Sequence, residues 1–143
     1  MTRALDLDGR VLRARVRRIR ELVATVPALG RIDPPRLVDE PVTALAAERL
    51  LTVLVELAFA CNRDVAVEVL GREPASYPAS FDLAAQAGLI SPELAARLRP
   101  SAALRDVLVL DTDPGRVALA VPQVPALYGE YVRQATAFLA ERR

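Results

Sequence analysis

The sequence predicts an all-α bundle, and three observations carry that prediction. Apolar residues recur at intervals of 4, 3, 4, 3 near both ends of the chain: Leu12, Val16, Ile19, Val23 and Val26, then Val124, Tyr128, Tyr131, Ala135 and Phe138. Such spacing places each set on one stripe of an α-helix. Between them, a long run from about Thr43 to Leu70 contains no breaker and stops at Gly71. No segment alternates like a strand, and Val107-Leu108-Val109-Leu110, though β-prone, is too short to decide by itself.

The elements follow in order. Asp8 is placed to cap the first helix, and Pro27 with Gly30 marks its end. Residues 28–41 hold Pro34, Pro35 and Pro41 and read as a connector. The second long helix has one polar line, Glu48, Thr52 and Glu56 at i, i+4 and i+8, and is otherwise apolar from Leu45 to Cys61. A helix with so narrow a polar line is buried on more than one side. It either has a core face and a subunit-contact face or is the central helix of a monomeric bundle. Residues 71–80 read as a loop, followed by a short helix from about Phe81 to Ala87 that Gly88 stops. Ser91-Pro92-Glu93 starts another helix: a capping hydroxyl, a proline in the first turn and an acid at the positive end of the dipole. Pro100 is expected to kink or divide it, with helix resuming from Ala102 to Leu110. Residues 111–115 read as a turn before the last long helix. The expectation is three long helices, with a shorter pair inserted before the last.

A length of 143 residues suits one domain over residues 1–143. There is no His, so every mechanism that needs an imidazole is excluded. One Cys, Cys61, excludes a disulfide framework and a multi-cysteine zinc site. All 19 basic residues are Arg, which excludes lysine Schiff bases and the Walker lysine. The net charge of +1 hides an asymmetry: residues 1–36 carry nine Arg against four acids. That dipole suits an anion at one end or a complementary partner. The first residues contain no apolar leader core, and no stretch is long enough to span a membrane. A soluble cytoplasmic protein with no membrane association is expected.

Few constellations can carry chemistry. Arg10, Arg13, Arg17 and Arg20 share one sector of the first helix. They form either an RNA-contacting edge or a solvated helix face. Asp106, Asp111 and Asp113 bring three carboxylates close in sequence, but Asp113 precedes Pro114 in a turn where capping is its ordinary role. No metal and no cofactor is expected. Cys61 lies in an apolar helix with nothing to activate it and reads as a buried structural thiol.

Over residues 45–132 the chain resembles HepT-like proteins of the HEPN superfamily. The likeness runs through Glu48-Arg49-Leu50-Leu51, Val55-Glu56-Leu57-Ala58 and Asn62, then Pro74-Ala75-Ser76-Tyr77 with Ser80-Phe81. It continues through Ala87-Gly88-Leu89-Ile90 and Glu93-Leu94-Ala95-Ala96-Arg97-Leu98. The family signature, Arg-Asn-x-x-Val-His-x-Tyr, falls on Arg105 to Thr112. Arg105 and Val109 match it. Asp106 stands at the Asn position, Leu110 at the His position and Thr112 at the Tyr position, and the following turn is shorter than the family's.

The resemblance implies a HEPN-type antiparallel bundle with long first, second and last helices and shorter helices between. It implies a homodimer in which the signature Arg and His of both subunits meet in a cleft. Family members are toxin ribonucleases of toxin–antitoxin systems, and the partner is a minimal nucleotidyltransferase antitoxin that modifies the signature Tyr with AMP. Metal-independent RNA cleavage needs a group that moves protons near neutral pH and a cation for the developing phosphorane charge. Here the signature leaves Arg105 and Asp106, without the imidazole and without the phenol. The expected function is therefore a HepT-like protein without ribonuclease activity that binds a nucleotidyltransferase partner, RNA or a nucleotide. The alternative is a toxin ribonuclease that still works through Arg105 with a non-standard partner residue.

Overall fold

The structure, a computed structural model, describes residues 8–142, so residues 1–7, on which the expectation of no leader core rests, lie outside the described residues. Helix α1 spans Gly9–Ala24, and the Asp8 carboxylate caps it by accepting from the Arg10 and Val11 amides. Leu12, Val16 and Ile19 are its buried stripe. A single turn, α2 (Val26–Leu29), follows and ends at Gly30.

The expected connector contains a further helix, α3 (Pro34–Asp39). Asp33 caps it through the Arg36 amide, and the two prolines occupy its first positions, where the missing N–H groups cost nothing. Leu37 anchors it in the core. The Arg36 guanidinium ties this region together, donating to the Leu29 and Arg31 carbonyls and to Glu40.

Helix α4 (Pro41–Leu70) is 30 residues long, about 45 Å, and begins two residues before the expected start, with Pro41 in its first turn. Gly71 ends it in the left-handed conformation at φ 67°, which a side chain would disfavour. Helix α5 (Tyr77–Gln86) begins four residues earlier than the sequence suggests. Ser76 is its cap, and Pro78 is a helix-starting proline and not part of a loop. Gly88, at φ 89°, turns the chain into α6 (Pro92–Leu108), which Ser91 caps as expected.

Pro100 does not divide α6. Pro100 and Ala96, whose carbonyl loses its partner, are both on the exposed side of the helix, where water can replace the lost bond. With 17 residues, α6 is one residue longer than α1, so the pair before the last helix is unequal. The Asp-Pro-Gly segment is half turn and half helix start: Asp113 caps α7 (Pro114–Ala120) through the Arg116 amide. A 3-10 turn at Val121–Gln123 leads into α8 (Val124–Glu141), on which all five residues of the predicted stripe are buried.

One apolar cluster runs through the molecule, centred on α4 and closed by α1, α5, α6 and α8. The described residues are helical, with no strand among them. No helix among them is long and apolar enough to cross a membrane.

Candidate functional site: the Arg105 cradle

Three helices converge on Arg105, which sits in the last turn of α6. Its Nη2 donates to Glu56 Oε2 on α4 at 3.2 Å, and its Nη1 donates to the neighbouring Asp106 at 3.3 Å. Its guanidinium carbon lies 4.1 Å from the centre of the Tyr77 ring of α5. Tyr77 in turn stacks on Phe59 of α4, with centroids 4.2 Å apart and planes within 9°. The Arg105 side chain is 20% exposed, and its Nε is buried without a hydrogen-bond partner among the described residues. Burial works against its charge, but the hydrogen bonds to Glu56 and Asp106 outweigh that and hold its pKa above the ordinary arginine value.

A buried chain of hydrogen bonds fixes the first turn of α5, and with it Tyr77. The Tyr131 hydroxyl of α8 donates to Asn62 Oδ1 of α4 at 2.7 Å. Asn62 Nδ2 donates to Ser80 Oγ at 3.1 Å, and Ser80 donates to the Tyr77 carbonyl at 2.7 Å. Asn62 and Ser80 are the buried polar residues of the described core, and each is satisfied. The sequence marks Asn62, Tyr77 and Ser80 only as points of resemblance, and Glu56 as one of these and as part of a polar line. Their convergence on Arg105 depends on tertiary packing. The clue present in the sequence is that polar line, since Glu56 receives Arg105 and Glu48 receives Thr112 Oγ1 at 2.5 Å.

The signature positions are not all brought together. Leu110 lies beyond the end of α6, in a turn, with 88% of its surface exposed. Thr112 is held to Glu48 and, through its amide, to Asp111. Arg105 can attract an anion, but no imidazole stands beside it to move a proton, because the chain has none.

The other sequence candidates divide. Asp106 pairs with Arg105, Asp111 accepts from Thr112, and Asp113 caps α7, so these carboxylates are engaged separately. Among the described residues no group of three side chains is arranged to hold a metal ion. Cys61 is fully buried, and burial pushes its thiol up to about 12. Of the four candidate arginines on α1, Arg13, Arg17 and Arg20 line one cleft, whereas Arg10 leans back toward Asp8 at 4.0 Å. None of the four belongs to the Arg105 cradle.

A search of curated proteins yields no match. A family model described as ribonuclease HepT-like matches residues 13–111. The matched stretch begins in α1, takes in α4 and α5 with Glu56 and Tyr77, and ends just past α6, one residue short of Thr112. It covers well over half of the chain and includes every side chain of the Arg105 cradle, and on that match the chain belongs to the HepT-like ribonuclease family.

Proposed function

We propose that this HepT-like protein lacks ribonuclease chemistry and acts as a homodimeric binding module for a nucleotidyltransferase partner, RNA or a nucleotide. The observation that carries the reading is Leu110. It occupies the place of the signature imidazole, is exposed, and has no chemistry to offer a proton. Losing a positioned acid–base group typically costs about 10²–10⁴ in rate, and the chain has no other imidazole to replace it. Thr112 offers no phenol for modification, and its hydroxyl is tied to Glu48.

The dimer draws support from apolar exposure. Val42 and Leu45 on the first turns of α4 are 80% and 66% exposed, and Val109 and Leu110 project at the end of α6. Removing aliphatic side chains of this size from water favours association with a second copy. A stable interface would bury at least ~1,000 Å² in total.

The test is an RNA-cleavage assay on purified protein, with light scattering alongside. No cleavage beyond that of Arg105→Ala, from a species twice 15.5 kDa, is the expected result. Specific cleavage that Arg105→Ala abolishes would overturn the first half of the proposal. A single 15.5 kDa species at micromolar concentration would overturn the second. Co-purification from the native host shows whether a nucleotidyltransferase or RNA accompanies the protein.

A further inference from the structure

Arg13, Arg17 and Arg20 line a cleft of about 240 Å³ between α1 and α8. Among the described residues the rest of its wall is Val16 from α1 and Thr136, Leu139 and Ala140 from α8, which include neither an acid nor an aromatic ring. Neighbouring α1 arginines are engaged elsewhere: Arg15 with Asp64 at 2.5 Å and Arg18 with Glu21 at 3.4 Å. Arg13, Arg17 and Arg20 have no carboxylate within ion-pair distance among the described residues, and each is exposed.

Three like charges on one face of one helix repel each other, and no described residue of the cleft offsets them. We infer that this cleft binds the phosphodiester backbone of a single-stranded nucleic acid, at a site separate from Arg105. The i, i+4, i+7 spacing spreads the guanidiniums over about 10 Å of helix, longer than a single phosphate and suited to successive ones. Guanidinium forks match phosphate oxygens bidentately, and Val16, Leu139 and Ala140 contribute the apolar part of the cleft beside them. Without an aromatic ring there is no platform for base stacking, so contact is to the backbone and carries little sequence preference.

The experiment measures binding of a short fluorescent oligouridylate to the full chain by anisotropy, across salt concentration. Three phosphate contacts at about 0.7 each give a log–log slope near 2, or roughly 20-fold weaker binding for a fourfold rise in salt. Each of Arg13→Ala, Arg17→Ala and Arg20→Ala should reduce affinity about tenfold, the loss of one charge-assisted bond, and lower the slope. Arg133→Ala, on α8 but outside the cleft and paired with Glu130, should change neither. The single variants carry the test if the triple variant loses helical circular dichroism. Unchanged affinity in the single variants overturns the inference, as does binding that Arg105→Ala alone removes. Displacement by AMP or inorganic phosphate at equal phosphate concentration would mark a single-phosphate pocket and overturn the strand reading. Arg105→Ala leaves this cleft intact, so failure here and failure of the proposed function are distinguishable.

Discussion

Glu56 and Arg105 are 49 residues apart in sequence and 3.2 Å apart in space. With Thr112 reaching Glu48, the end of α6 and its tail run antiparallel along the single polar line of α4. Arg105 is thereby a held cation and not a free one.

The ring beneath Arg105 should matter more to stability than the carboxylate beside it. Tyr77→Leu removes both the cation–π contact and the stack on Phe59, and is expected to cost about 1–2 kcal/mol. Glu56→Gln should cost about 1 kcal/mol at most, because that pair is partly open to solvent. Urea midpoints of the two variants check the order. If Glu56→Gln proves the more damaging, the charge pair and not the ring holds Arg105.

Restoring the signature should restore chemistry if the loss is confined to it. Leu110→His returns an imidazole, and Asp106→Asn removes a carboxylate four residues before it. That carboxylate would raise the imidazole pKa and weaken it as a base, and it now also occupies Arg105. The double variant should therefore cleave RNA faster than Leu110→His alone, read with a labelled substrate at neutral pH. Adding Thr112→Tyr should make the protein an acceptor for AMP from a cognate transferase. A folded, dimeric double variant with no cleavage would locate the loss beyond the signature.

The Tyr131–Asn62–Ser80 chain makes a prediction about the interior. Asn62→Ala leaves the Tyr131 hydroxyl with only the Ala58 carbonyl at 3.3 Å and removes Ser80's donor. Tyr131→Phe leaves Asn62 Oδ1 unpaired in the core. Each should destabilise by about 1–3 kcal/mol, measured by urea unfolding. Loss of this chain should also loosen Tyr77, so increased solvent exposure of its ring in Asn62→Ala is the companion observation.

The helical class, the long α4 and the last helix were legible because each rests on a repeated local pattern: the stripe from Val124 to Phe138 and the glycine stop at Gly71. What local pattern misreads is proline. Pro34, Pro35 and Pro78 look like breaks, yet each follows a capping side chain, Asp33 or Ser76, and starts a helix. Pro100 looks like a divider, yet it sits on an exposed face where the freed carbonyl can be solvated. The candidate site was legible as Arg105 and Asp106, because a signature is a local string. Its cradle was not, because Glu56, Phe59 and Tyr77 meet Arg105 only after three helices have packed.

Alkaline pH should destabilise the fold through buried acids. The Cys61 thiol titrates at about 12 in the folded chain, against an ordinary value of 9.0, and burial raises the Tyr131 phenol in the same direction. Once unfolded, these groups lose their protons first, so the unfolded state binds fewer protons and stability falls as pH rises. The thiol's contribution is complete below its ordinary value and disappears as pH climbs from there to about 12. Urea midpoints should therefore drop above about pH 9, and less steeply in Cys61→Ala. An equal slope in wild type and variant would assign the alkaline loss to other groups.

The length of α4 has a consequence for how the molecule opens. It contacts α1, α3, α5, α6 and α7, so none of these can leave without uncovering part of the same rod. Amide protons in its central turns, around Leu54 and Ala58, are then released only when the whole chain unfolds, and their exchange reports the global free energy. Amides of α7, a seven-residue helix at one end, can exchange through local opening that leaves the rod in place. The segment carrying Leu110 and Thr112 joins these two regimes, anchored to the rod at Arg105 through Glu56 and again at Thr112 through Glu48.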